Sequence, residues 1–230
     1  HENQLAVVPS DMPFAQAAIL GCAVITGVGT VLNTARVQAG QTVAVIGLGG
    51  VGLNVVSGAR IAGASRIIAV DTNAAKLELA RRFGATDTVE AGIGDASAGA
   101  AIAAVRDLTG GVGVRHAFEV VGLESTTVQA VRMTASGGTT WLIGLHRPKS
   151  TTTLNVLEDV LMPQRTIVGT YMGSTDIKRD IPRYAELYRA GDLNLDDLIS
   201  KQIALSAIND GFADMRAGAV ARSVITDFDA

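Results

Sequence analysis

The apolar positions of this chain come in short blocks set apart by glycine and polar punctuation, and the blocks alternate between two kinds. Residues 42–46, 66–70, 85–89, 114–121, 139–145 and 165–171 are runs of strand length, rich in apolar and β-branched side chains, as expected of strands covered on both faces. Between them lie stretches with helical spacing. The first is 51–62, and the second is 74–83, where Leu77, Leu79 and Ala80 sit among Lys76, Glu78, Arg81 and Arg82. The third is 95–108, with Ile102, Val105 and Leu108 at i, i+3 and i+6, and the fourth is 125–134. Gly84 caps the second helix, Gly110, Gly111 and Gly113 punctuate after the third, and Gly137 with Gly138 closes the fourth. Strands alternating with helices in this way predict an α/β fold, a doubly wound parallel sheet of six strands.

The two ends do not follow this alternation. Pro13 opens a helix predicted over 14–20, and a second is expected over 23–34. After the sixth strand come a helix at 177–189, a segment at 192–199, a helix at 207–215 stopped by Gly218, and a last strand at 222–228. The expected division is a sheet domain at 24–171 flanked by remnants of a second domain at 1–23 and 172–230. No internal repeat is present, and the glycine–alanine run at 91–104 is the only biased tract.

Chemistry enters at the first strand–helix junction. Gly47, Leu48, Gly49, Gly50, Val51 and Gly52 follow the first strand and lead into the first helix of the alternation, and Asp71 ends the next strand. A glycine turn between strand and helix, with an acid about 20 positions on, is the arrangement of a dinucleotide-binding, Rossmann-type unit. Gly47 permits the tight turn, Gly49 lets backbone approach a pyrophosphate, and Gly52 lets helix and strand pack. The helix N-terminus then faces the phosphates. Asp71 would accept hydrogen bonds from an adenosine ribose; as a bland alternative it caps the helix that begins near Asn73.

Composition narrows the partners. A formal charge of −3 without basic clusters argues against nucleic acid. The single cysteine, Cys22, excludes an internal disulfide and fits a reducing cytoplasm. The polar first ten residues do not read as a signal peptide. Stretches 12–35 and 37–59 are uncharged and long enough to span a bilayer. The first carries Pro13, Gln16, Thr26, Thr30 and Asn33, the second is broken by six glycines, and both read as buried elements of a soluble chain.

Several segments together resemble the zinc-dependent medium-chain alcohol dehydrogenases. They are GCAVITG at 21–27, VQAGQTV at 37–43, GLGGVGL at 47–53, DTNAAK at 71–76, FGATD at 83–87, FEVVG at 118–122 and AVARSV at 219–224, in the family's order. The resemblance implies that residues 47–52 hold the pyrophosphate of NAD, with Asp71 and Lys76 on the adenosine ribose and Arg222 paired with the pyrophosphate. It implies that Thr26, counted as catalytic, packs with Val51 against the nicotinamide. The backbone of Ile143, Gly144 and Leu145 meets the carboxamide, and Cys22 is one ligand of a catalytic zinc. Such a zinc polarises a bound alcohol so that hydride passes to the nicotinamide. The family's remaining zinc ligands lie in an N-terminal domain of about 150 residues, so the chain reads as the C-terminal part of a dehydrogenase acting on a small alcohol or aldehyde.

Two other readings stay open. One is a free-standing nucleotide-binding module without catalysis. The other is a zinc-free quinone or enoyl reductase using NADPH, against which stand Cys22 in its motif and the acid at Asp71. Lys76 reads equally as a solvated helix residue and Arg222 as a surface arginine. His116 and His146 are poor candidates for catalysis, and Glu119, which looks functional beside Phe118, reads equally as a structural acid at a strand end. A homodimer or higher homo-oligomer is expected through a mostly apolar sheet edge at 139–145, which carries no charge, or at 165–171.

Overall fold

The computed structural model of the chain describes residues 1–92, 95–218 and 220–228. Its six-stranded sheet runs β1 Thr42–Ile46, β2 Arg66–Asp71, β3 Asp87–Glu90, β4 Val114–Glu119, β5 Thr134–Leu142 and β6 Thr166–Gly169. All neighbours are parallel, in the order β3-β2-β1-β4-β5-β6. The doubly wound six-stranded sheet expected from the apolar blocks is thus the one observed.

Alternation along each strand sends side chains to two separate apolar layers. Val43 and Val45 join one layer with Ile67, Ala69, Phe118 and Trp141. Ala44 and Ile46 join the other with Ile68, Val70, Val114 and Ala117. Two covered faces explain why the strands are continuously apolar.

The crossover helices are α3 Gly50–Ile61, α4 Ala74–Phe83, α5 Asp95–Leu108 and α6 Glu124–Met133. Ahead of them, α1 Phe14–Ile19 and α2 Ile25–Gly29 are linked and followed by π-helical turns at Leu20–Val24 and Thr30–Ala35. The two expected helices are therefore one helical run, Phe14–Ala35. It is long and apolar enough to cross a membrane by length and composition, and 56% of an 18-residue apolar stretch within it is buried inside the protein.

After β6, α7 Ile177–Arg189 packs on the same apolar layer, where Tyr184, Leu193, Leu195 and Leu198 join Ile25 and Val28. Asn33 donates to the buried Asp180 carboxylate at 3.1 Å, fastening α7 to the N-terminal helical run. A small sheet of β7 Lys201–Ala204 and β8 Ser223–Asp227 ends the chain, with α8 Ile208–Arg216 between its strands.

Three expectations are corrected. The fifth strand spans Thr134–Leu142, so Ile143, Gly144 and Leu145 lie beyond its end. Gly137 and Gly138 belong to this strand, beside a register shift opposite Val114 and His116, and do not close the preceding helix. β5 is also paired on both sides, by β4 and β6, which leaves β6 and β3 as the sheet's edges and removes 139–145 as an edge. Part of the run at 91–104 lies outside the described residues.

Candidate functional site

In register, Ile46 stands beside Val70 on one side and Glu119 on the other, so β1, β2 and β4 end together. Gly47 after β1, Asp71 at the last position of β2 and Val120 after β4 line one cleft of about 560 Å³ with Leu48, Gly49, Lys76 and Val121. The strand order reverses between β1 and β4, where α/β sheets bind ligands, and the volume suits a cofactor.

The glycine turn is held from several directions. Gly47 has a φ of +94°, a backbone state that disfavours side chains. A Cβ at Gly52 would overlap the carbonyl oxygen of Gly47, whereas a Cβ at Gly49 would meet nothing within 4 Å. Leu48 buries its side chain in the core and donates its N–H to Asp71 Oδ2 at 2.7 Å. Asp71 Oδ1 accepts the N–H of Asn73 at 3.0 Å. The cap of α4 is Asn73 itself, which accepts from the N–H of Ala75, so Asp71 locks the turn and does not cap the helix. Gly49 gives α3 no side-chain cap, leaving N–H groups of the first turn for an anion. Two cations stand by. The guanidinium of Arg222 lies over Gly50, and the Lys76 ammonium lies beside Gly218.

Glu119 shapes the opposite wall. Fully buried, its Oε1 accepts the N–H of Val121 at 2.9 Å, the N–H of Gly122 at 2.8 Å and the hydroxyl of Thr126 at 2.7 Å. Its backbone carbonyl accepts from Ile143 and Gly144. Those two residues and Leu145 flank the cleft through Gly122 without lining it; Ile143 is buried and Leu145 is 83% exposed. Thr26 is half-buried, with its hydroxyl 3.8 Å from the sulfur of Met172. The next residue, Gly27, packs against Val51 and Asn54 of α3 so closely that a Cβ would clash. The contact with Val51 is thus made by Gly27, and neither Thr26 nor Val51 lines the cleft.

Cys22 is exposed in the first π-helical turn. Among the described residues no three His, Cys, Asp or Glu side chains gather in a metal-holding group. One thiol does not fit a zinc ion that takes three or four protein ligands. For a dinucleotide the fit is good: an uncapped helix N-terminus, open space at Gly49, Asp71 and Lys76 lining the cleft, and the Arg222 guanidinium beside it over Gly50. The AVARSV segment begins at Ala219, outside the described residues; its Arg222 is the part brought to the site.

Ser125, Thr126 and Gln129 also line the cleft and are absent from the sequence-derived set. The available signal is topological: if β4 lies beside β1, the helix after β4 begins beside the glycine turn. His116 lies in the sheet, its Nδ1 accepting from the Trp141 indole N–H at 3.1 Å and its Nε2 2.9 Å from Gln41 Oε1. Burial first, and then Arg115, depress its pKa to about 4, so it is a neutral structural group.

A family model described as "Zinc-binding dehydrogenase" matches residues 50–190. "Alcohol dehydrogenase-like 2" of Arabidopsis thaliana is 36% identical over 223 residues, covering 96% of this chain and 56% of the relative. The "NDMA-dependent alcohol dehydrogenase" of Amycolatopsis methanolica is 37% identical over 227 residues, covering 97% of this chain and 60% of the relative. The crystal structure of benzyl alcohol dehydrogenase from Acinetobacter calcoaceticus superposes with a TM-score of 0.92 at 31% identity, covering 99% of this chain and 61% of that one. The chain thus spans little more than half the length of the relatives it matches.

Proposed function

The chain belongs to the zinc-binding dehydrogenases, and from that premise we propose that its cleft holds NAD(H), in preference to NADP(H), for an alcohol dehydrogenase-type oxidation. The observation that carries this reading is the Asp71 carboxylate, fixed by two backbone N–H groups beside the uncapped N-terminus of α3. Its remaining lone pairs suit the two hydroxyls of an adenosine ribose, and its charge repels a 2′-phosphate. In this reading Gly47, Leu48, Gly49, Gly50, Val51 and Gly52 hold the pyrophosphate with Arg222, and Lys76 assists at the ribose. Thr26 and Val51 pack on the nicotinamide, and the backbone of Ile143, Gly144 and Leu145 takes its carboxamide. Bound there, the dinucleotide supplies a ring that accepts or returns hydride.

The relatives' names support a small alcohol or aldehyde as substrate. Cys22 serves as one ligand of a metal set completed outside these residues, and its lone thiol suits a cytoplasmic setting. The 230-residue chain by itself then binds NAD(H) without oxidising alcohols. Metal analysis together with NADH production from ethanol or benzyl alcohol tests this. One firmly held zinc per chain with steady turnover would refute it.

Assembly is read as a homodimer through β6. This edge strand follows a π-helical turn, Val156–Leu161, and Val156, Leu157, Leu161 and Met162 there are exposed, an apolar edge that a second copy would cover. A monomer mass by light scattering at high concentration would count against it.

A further inference from the structure

Beside the cleft, His146 joins two pieces of backbone that the sheet leaves unconnected. Its Nδ1 lies 3.1 Å from the carbonyl oxygen of Gly144, and its Nε2 lies 2.9 Å from the hydroxyl of Thr127 on α6. That hydroxyl also lies 3.0 Å from the carbonyl oxygen of Leu123. Leu123 and Thr126 line the cleft, and Gly144 sits so tightly against Gly122 that it has no room for a side chain. Any shift of residues 143–146 relative to α6 therefore moves the cleft wall.

We infer that His146 is a positioning residue for the bound nucleotide, clasping the Gly144 segment to the helix that forms one wall of the cleft. The inference rests on the reading of the cleft as a dinucleotide site.

The donor count makes the clasp sensitive to protonation. A carbonyl only accepts, so the Gly144 contact requires a hydrogen on Nδ1 in either charge state. Thr127 has one hydroxyl hydrogen for two acceptors while the ring is neutral: Nε2 and the Leu123 carbonyl. Once Nε2 is protonated it donates to Thr127, the hydroxyl donates to Leu123, and all three bonds form together. Two carboxylates face the ring's surroundings. Glu124 opens α6 and interacts electrostatically with His146. Glu119 stands behind Gly144, with Oε2 2.7 Å from where a Cβ would be. Arg147 follows in the chain.

One extra satisfied hydrogen bond changes an affinity by about threefold to tenfold. The nucleotide is taken to bind the clasped wall alone, so protonation of His146, which adds a bond to the clasp, tightens nucleotide binding by up to that factor, and nucleotide binding must in turn favour the protonated ring equally. Of the three histidines, His116 is held neutral down to about pH 4 and His1 is the chain's first residue.

The test is NADH affinity, by nicotinamide fluorescence, from about pH 8 down to about pH 5.5 on the 230-residue chain. The expected result is an affinity that rises threefold to tenfold, in accord with the hydrogen-bond estimate of about that size. In His146→Gln the profile should be flat at an unchanged melting temperature. Proton NMR of the His146 ring should show its titration midpoint moving up by the logarithm of the same factor on saturation with NADH. Thr127→Val, which keeps the ring and removes its Nε2 partner, should also flatten the profile. The same pH profile in His146→Gln, or a midpoint that NADH leaves unmoved, overturns the inference. Failure of NADH to bind at any pH overturns the dinucleotide reading itself, and this inference with it.

Discussion

The carboxylate of Asp71 accepts the N–H of Leu48 at 2.7 Å, tying the end of the second strand to the turn after the first. The residue read from sequence as a ribose acceptor thus also builds the turn that meets the phosphates. Its other oxygen accepts the N–H of Asn73, so the side chain is oriented before any ligand arrives. Loss of Asp71 should therefore weaken both dinucleotides through the loosened turn and remove discrimination between them.

Two neighbouring glycines should separate fold from binding. Gly49 has φ −77° and open space where a Cβ would stand, so Gly49→Ala should leave stability within about 0.5 kcal/mol. It should nonetheless weaken NADH by an order of magnitude or more, because the methyl occupies the approach to the pyrophosphate. Gly52→Ala drives a methyl into the Gly47 carbonyl and should lose about 1–3 kcal/mol or more of stability. Denaturant melts and NADH titrations of both variants check the contrast.

Arg222 contributes its carbonyl to the backbone of Ser200 and Lys201, while its guanidinium lies over Gly50. Arg222→Gln keeps the first role and removes the second. NADH affinity should fall by about threefold to tenfold with a shallower dependence on salt, and the melting temperature should hold. Titration at two ionic strengths reads both effects.

The fold should weaken in acid through His116. Its pKa falls from 6.5 to about 4 on folding because burial, and then Arg115, disfavour the charged ring. The unfolded chain therefore binds the extra proton first. The resulting contribution, up to about 3 kcal/mol, is complete above about pH 6.5 and is lost as pH drops towards about 4. Urea unfolding across that window should show the slope in the parent and a smaller one in His116→Gln.

The sheet was legible because its strands are buried on both faces and so appear as unbroken apolar runs, as in TVAVI at 42–46. The fifth strand's start was not, because the glycine pair at 137–138 signals a stop equally well after a helix or within a strand irregularity. β7, with the sequence KQIA, escaped because it is half exposed and pairs only with β8, some twenty residues away. The π-helical turns in the N-terminal run have an ordinary helical composition. At the site, the glycine turn and Asp71 were readable from local spacing. Ser125, Thr126 and Gln129 were not, since only the adjacency of β1 and β4 brings them to the cleft.

The central claim is tested most directly by calorimetric titration of the 230-residue chain with NADH and with NADPH, in parallel with Asp71→Gly. The account predicts one NADH site per chain, a preference over NADPH of at least about tenfold from a charge-assisted hydrogen bond, and loss of that preference in the variant. Equal affinities in the parent, or an undiminished preference in Asp71→Gly, would contradict the role of Asp71, and no binding of either dinucleotide would contradict the cleft's assignment.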